Sequence, residues 1–260
     1  MLMPEARLKE EIIRRWDESS ETYDDHASHG IRGEEEQTAW KDAFKKIIPS
    51  GAVDMLDVGC GTGELSILMA EMGYEVTGLD LSKKMLTKAK AKAKKRGLDI
   101  SYKLGDAENP PFNDNTFDVV FTRHLLWTLP NPQKALEGWR RLLKDGGRAM
   151  IVDGVWDNRT LDSKVRNLTS NIAEMIIEGK LPWKGHYPKE VEESLPNRGG
   201  TPLEKSESYL KMAGFVNIGH IDLLHIRAMQ RKRLDLSDRI RRNYSYYLVF
   251  ANKPIVINST

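Results

Sequence analysis

Cysteine is nearly absent from this chain. Of 260 residues only Cys60 carries a thiol, which excludes an internal disulfide and leaves no thiols for a zinc cluster. A charge of one sign is missing too: 40 basic residues stand against 38 acidic ones, and the formal charge of +2 gives no global field for nucleic acid or an anionic membrane. Long apolar runs are also lacking. Met1 to Trp16 alternates charged with apolar residues, without the uninterrupted core of a signal peptide or membrane span, so a cytoplasmic location is expected. There is no internal repeat and no low-complexity linker. What is present is a 40% hydrophobic content over 260 residues, which fits one enzyme-sized domain better than two.

Cys60 lies inside the most informative stretch, Met55-Leu56-Asp57-Val58-Gly59-Cys60-Gly61-Thr62-Gly63. An apolar run breaks into glycines at alternate positions and resumes as a helix near Glu64, the pattern of a strand entering a tight turn where main chain meets a ligand. Two familiar ligands are disfavoured. Glu64 stands where a dinucleotide fingerprint has its third glycine, and no Lys-Ser or Lys-Thr closes the loop as a nucleoside triphosphate site requires. An acid at the helix start would also repel phosphate. A second strand, Tyr74 to Leu79, ends in Asp80, near the ~20-residue separation at which an acid takes a ribose diol. The turn therefore suits a ribose-bearing ligand without phosphates.

With these residues the chain resembles the class I S-adenosylmethionine-dependent methyltransferases, and within them the branch that methylates ubiquinone and menaquinone precursors. Asp57 to Gly63 is similar to the family's first motif, Gly78-Leu79-Asp80-Leu81-Ser82 to its second and Gly105-Asp106-Ala107 to its third. Phe117 to Thr122 matches the fourth strand and Arg141 to Arg148 the turn into the fifth, with Asp145 where the family usually has proline. The resemblance implies S-adenosylmethionine as donor and S-adenosylhomocysteine as product. It implies that Asp57, Gly59, Gly61 and Gly63 form the loop at the methionine part, that Asp80 takes the ribose hydroxyls and that Leu81 packs on adenine. Asp106 would accept from the adenine amino group, Ala107 would offer its main-chain N–H, and the main chain near Thr122 and Arg123 would meet the amino-acid end. Tyr23-Asp24 matches a pair on the family's lid.

From Met55 to Asp153, strand-like and helix-like segments alternate five times, which calls for parallel pairing with helical crossovers. The expected fold is α/β: a doubly wound, mostly parallel seven-stranded sheet, Rossmann-like, with a helical N-terminal lid and an insertion after the fifth strand. The divisions are residues 1–45 for the lid, 46–155 for the donor-binding core, 156–202 for the insertion and 203–260 for the completion of the sheet. Leu8, Ile12, Ile13 and Trp16 share one helix face that packs on the domain or caps its cleft, whereas Asp17 to Gln37 reads as polar and charged. A helix is expected from Leu161 to Ile177, a loop through Pro182 to Pro188, a helix from Leu203 to Ala213, a strand from Phe215 to Leu223 and a last strand at Tyr246 to Ala251. The resemblance makes that last strand antiparallel.

His124 leaves the fourth strand where the transferred methyl would face, and imidazole accepts a proton near neutral pH, so it is the candidate general base; the alternative is a residue that orders the loop. Trp127, Asp153, Trp156, Trp183, His186 and Tyr187 are candidate contacts of a small organic acceptor, with core packing the competing role for the aromatics. Asn109-Pro110-Pro111-Phe112 copies an amino-group methyltransferase signature but precedes the fourth strand, so it reads as a stiffened loop. His26 with His29 and His220 with His225 have no converging carboxylate pattern, and no metal is expected. Lys83 to Arg96 reads as the solvated face of a helix, whereas the basic segment 227–242 keeps an RNA acceptor open. A donor-binding regulator without catalysis is the remaining alternative. Oligomeric state is silent in the sequence.

Overall fold

The computed structural model of the protein describes residues 3–25, 29–157, 160–179, 186–241 and 245–256. Its framework is one seven-stranded sheet in the order β3-β2-β1-β4-β5-β7-β6. The strands are β1 Asp54–Val58, β2 Glu75–Asp80, β3 Ser101–Leu104, β4 Phe117–Arg123, β5 Leu143–Val155, β6 Val216–Asp222 and β7 Ser245–Asn252. Pairs from β3 through β5 are parallel, and β7 runs antiparallel between β5 and β6. This is the expected doubly wound sheet, and its order reverses between β1 and β4. The carboxyl ends of those two strands therefore open a crevice.

Helices α1 Glu5–Ser19, α2 Gly33–Lys45, α3 Glu64–Glu71, α4 Lys83–Lys95 and α5 Pro132–Leu142 precede the fifth strand. Local chemistry sets their ends. Ser82 caps α4 by accepting from the Met85 amide at 3.1 Å, and Asn131 caps α5 by accepting from Lys134 at 3.1 Å with Pro132 at the first helical position. In α5 the apolar residues Ala135, Leu136, Trp139 and Leu142 recur at helical spacing, so one face is buried in the sheet. Leu136 and Trp139 join Leu210 on one side; Trp40, Phe44, Leu65, Leu68 and Ile226 cover the other.

After β5 come α6 Leu161–Ile176, α7 Lys189–Ser194, α8 Leu203–Met212, α9 Leu224–Arg231 and α10 Leu236–Arg241. Helices α6 and α8 and strands β6 and β7 follow the expected pattern; α2, α7, α9 and α10 were not anticipated. The stretch read as polar from Asp17 to Gln37 already contains the start of α2, whose Glu36 is only 2% exposed. Trp183 and His26 lie outside the described residues. The turn expected at Arg141 to Arg148 is found as a break in register at the start of β5: Phe117 pairs with Leu143 and Val119 with Arg148, with Gly146 at φ 76° between them.

Candidate active site

The turn after β1 is built by main chain. Gly59 and Cys60 amides donate to the Leu79 carbonyl at 2.8 and 3.0 Å, and the Gly61 amide donates to Asp80 Oδ2 at 2.8 Å. All three glycines have positive φ (66°, 54° and 83°), so each needs glycine, but for different reasons. A Cβ on Gly59 would lie 2.6 Å from Leu125 Cδ1, and one on Gly63 would lie 2.6 Å from the Tyr102 hydroxyl. At Gly61 the nearest atom would be Tyr23 Cε1 at 3.8 Å. Gly59 and Gly63 thus permit close packing, while Gly61 is bare main chain facing open space.

That space is a cavity lined by main chain and by both polar and apolar side chains. Its floor holds Gly59, Gly61, Asp80, Leu81, Asp106 and Ala107, and its far wall Arg123, His124 and Leu125. The roof belongs to the N-terminal region: Lys9, Ile12, Trp16 and Tyr23. The opening helix therefore caps the cleft. Asp57 and Gly63 do not line the cavity. Asp57 is buried behind the turn, accepting from Ser66 Oγ at 2.5 Å, and burial pushes its carboxyl up to about 7.

Asp80 joins two loops. Besides Gly61, it accepts from the Ser82 amide at 2.8 Å, and burial raises its carboxyl to about 6 against those two bonds. Asp106 has a partner that sequence reasoning missed: Lys9 Nζ lies 2.8 Å from Asp106 Oδ2 and 2.7 Å from the wholly buried Glu108. Burial works against the Lys9 charge, but hydrogen bonds to Asp106, Glu108 and Glu5 outweigh it and hold the ammonium above its ordinary range. Further straps fix the lid. Asp17 accepts from Ser82 Oγ at 2.5 Å, and Asp24 accepts from Thr62 Oγ1 at 2.5 Å and pairs with Lys92 at 2.9 Å. Lys92 also pairs with Glu64, so α4 is not a wholly solvated face.

Arg123 is buried and donates through Nη2 to the His29 carbonyl, while its Nη1 is buried with no hydrogen-bond partner. Burial disfavours its charge, yet the field of Tyr246, Tyr23, Glu64 and Glu36 holds it above the usual value. His124 adopts φ 57°, uncommon for a residue with a side chain and frequent where function constrains backbone. Its ring stacks on Tyr246 at 5.4 Å between centroids, with Nε2 3.2 Å from the Tyr246 hydroxyl. Burial pushes that hydroxyl up to about 12 despite Arg123 and Arg227.

Four of the expected acceptor contacts come together, but none of them lines the cavity. Trp127 and Tyr187 are buried with Leu8, Ile12, Val191 and Leu195, and Trp156 packs against that cluster, so core packing is the role the geometry shows for these aromatics. Trp127 meets Trp156 at 5.1 Å, His186 at 5.2 Å and Tyr187 at 5.4 Å, and Trp16 meets His186 at 4.4 Å. Trp156 reaches His124 at 6.4 Å. Asp153 is wholly buried away from the cavity; its Oδ1 accepts from the Gly154 amide at 2.8 Å, and burial raises its carboxyl to about 7. Trp16 is the addition here, and its signal was its place at the end of the amphipathic run.

Two other features resolve into structure. Phe112 packs edge-on against Phe117 at 5.3 Å and the Pro110 carbonyl accepts from Arg141, so the Asn-Pro-Pro-Phe segment is a braced loop outside the cavity. In the basic segment after β6, Arg227 is buried while Arg231, Lys232, Arg233 and Arg239 are exposed, several of them with partners inside the chain. Arg227 donates to Gln230 at 2.8 Å, Gln230 donates to Glu36 at 2.8 Å, Arg233 pairs with Glu36, and Arg231 and Arg239 cap carbonyls of Arg239, Leu234 and Lys232. His220 pairs with Glu207 at 3.0 Å, and the described residues hold no group of three or more metal-ligating side chains. Among them no helix is long and apolar enough to cross a membrane.

The residues fit a donor with an adenosine and a charged amino-acid end: bare main chain at Gly61, a carboxylate at Asp80 and an unpartnered guanidinium nitrogen at Arg123. Glu64 at the start of α3 is already engaged by the Ile31 amide at 3.0 Å and by Lys92.

Comparison with known proteins agrees. A family model described as a methyltransferase domain matches residues 56–151. The chain is 28% identical over 220 residues to the ubiquinone/menaquinone biosynthesis C-methyltransferase UbiE of Zymomonas mobilis, covering 82% of this chain and 86% of that protein. It is 28% identical over 231 residues to the demethylmenaquinone methyltransferase of Chlorobaculum tepidum, covering 85% and 93%. Among solved structures, phosphoethanolamine N-methyltransferase 2 of Haemonchus contortus with S-adenosyl-L-methionine superposes with a TM-score of 0.63 at 21% identity, over 92% of this chain and 57% of that one.

Proposed function

We propose that this chain, a class I S-adenosylmethionine-dependent methyltransferase, methylates a small, planar organic acceptor related to a quinol. The observation carrying this reading is that Trp16 and His124 line the same cavity as Gly61 and Asp80. Relatives named for ubiquinone and menaquinone biosynthesis favour the same ring chemistry.

The bound donor supplies an electrophilic methyl on sulfur. Gly61 main chain, Asp80 and Arg123 would hold it, with Leu81 and Met85 offering apolar surface, and α1 with Tyr23 would exclude water. Trp16, which lines the cavity with His124, would offer its ring face to a flat acceptor, and His124 would take the proton of a ring hydroxyl, leaving an electron-rich nucleophile. The Tyr246 hydroxyl orients the imidazole, and both the stacked ring and the constrained backbone limit its motion.

Incubation of the protein with isotopically labelled donor, together with demethylated quinols, simple phenols, amines and RNA, tests the reading. Label is expected in the quinol or phenol fraction. Label confined to RNA or amines, or donor binding without transfer to any fraction, overturns it. His124→Gln is expected to lower kcat by about 10²–10⁴-fold with unchanged donor affinity, and an unchanged kcat removes His124 as base.

A further inference from the structure

Helix α6 is built inside out. The residues it buries are small or polar: Ser163, Ser170, Ala173 and Glu174. Ser170 Oγ donates to the Ser237 carbonyl at 2.9 Å, which ties α6 to α10. Its large apolar residues face outward. Leu161 is 80% exposed, Val165 59%, Leu168 62%, Ile172 48%, Met175 59% and Ile176 78%. An amphipathic helix of a lone globular domain does the opposite.

The order of those residues identifies what covers them. Leu161, Val165, Leu168, Ile172 and Met175 follow one another at steps of four, three, four and three, the spacing with which one helix seats its side chains along another. At on the order of 100 Å² of apolar surface per side chain, the six present about 600 Å² in one strip, as much as the largest patch of a typical monomer. Two such strips bury about 1,200 Å², where stable specific interfaces begin. A single helix laid antiparallel on its own copy is self-complementary and closes as a twofold pair. A lipid surface would require a cationic polar face. Helix α6 instead balances Lys164 and Arg166 against Asp162 and Glu174 and carries no aromatic residue.

We infer that α6 is a dimerisation seam, and that the protein pairs through it with a second copy of itself. The inference is independent of the methyl acceptor. Sedimentation velocity from about 1 to 100 μM should show a monomer–dimer equilibrium, and Leu168→Glu with Ile172→Glu should hold the chain monomeric with its circular dichroism and S-adenosylhomocysteine affinity unchanged. Leu168→Cys should crosslink as a dimer on mild oxidation, since the native Cys60 is buried. A wild-type monomer across that range, a dimer that survives both glutamates, or a monomer that instead floats with phosphatidylcholine–phosphatidylserine vesicles overturns it.

Discussion

Lys9 carries more of the site than its place on a surface helix suggests. It meets three carboxylates, at Glu5, Asp106 and Glu108, and the Glu108 side chain is wholly buried. Removing one partner of such a cluster strands the others, at about 3–5 kcal/mol when the pair is deeply buried. Because the Asp106 side chain is 26% exposed, the loss expected for Lys9→Met is smaller, about 2–3 kcal/mol. Adding Glu108→Gln should restore much of it, because the strongest uncompensated charge is then gone. Urea denaturation of the two single variants and the double variant measures the coupling, and strictly additive effects would show that Lys9 does not act through Glu108. Arg123 supports a prediction of a different kind. Its unpartnered Nη1 is the group that would meet the donor's carboxylate, a charge-assisted bond worth about 1.5–3 kcal/mol. Arg123→Met should therefore weaken S-adenosylhomocysteine binding by roughly 10–150-fold, yet leave methylthioadenosine, which lacks the amino-acid end, unaffected. Calorimetry with both ligands separates this contact from a general collapse of the pocket.

At the level of elements, the glycine turn divides its labour between packing and ligand. Gly61→Val points a side chain into the cavity, with only the ~1–2 kcal/mol of a positive-φ residue as structural cost; donor affinity should fall by more than about 100-fold while the melting temperature drops modestly. Gly59→Ala meets Leu125 at 2.6 Å and should lower the melting temperature more than Gly61→Val does. Scanning calorimetry paired with donor titration reads both. The strands and this turn were legible because β1, β2 and β4 are short apolar runs, and a doubly wound sheet leaves few ways to connect them. Helices α2 and α9 were not legible, since what stabilises them is remote in sequence. Glu36, buried among Trp40, Gln230 and Arg233, looks like a solvated acid until α9 is folded against α2. The same contacts tie two arginines of the basic stretch, Arg227 through Gln230 and Arg233 directly, to α2. Asp106 was picked out by its motif, but its pairing with Lys9 spans 97 residues of chain and no spacing rule reaches it. Trp127, Trp156, His186 and Tyr187 were named one by one, whereas the convergence of Trp127, His186 and Tyr187 on Trp16 depends on where α1 lies over the cleft.

For the molecule as a whole, three buried carboxyls set a response to pH. Burial raises Asp57 to about 7, Asp80 to about 6 and Asp153 to about 7, each above the ordinary value of 3.8. Between about pH 4 and 7 the folded chain then binds more protons at these sites than the unfolded chain, so their contribution to stability is full below pH 4 and is lost as pH rises through the folded values. The donor-free protein should consequently melt at a lower temperature at pH 8 than at pH 5.5, other groups being equal. Asp153 isolates the effect, since it lies away from the cavity and the donor residues. Asp153→Asn keeps the shape and removes a charge that has no place in the interior, so it should raise the melting temperature at pH 8 by about 2–4 °C per kcal/mol recovered and flatten the pH profile. Donor binding should run the other way. Asp80 accepts hydrogen bonds best as a carboxylate, so affinity for S-adenosylhomocysteine should rise across about pH 6 while stability falls. Calorimetric titrations from pH 5 to 8 decide the matter. A binding constant that is flat across pH 6 would remove Asp80 as an ionised ligand to the ribose, and a stability that rises from pH 5.5 to 8 in wild type but not in Asp153→Asn would reverse the sign assigned to its burial.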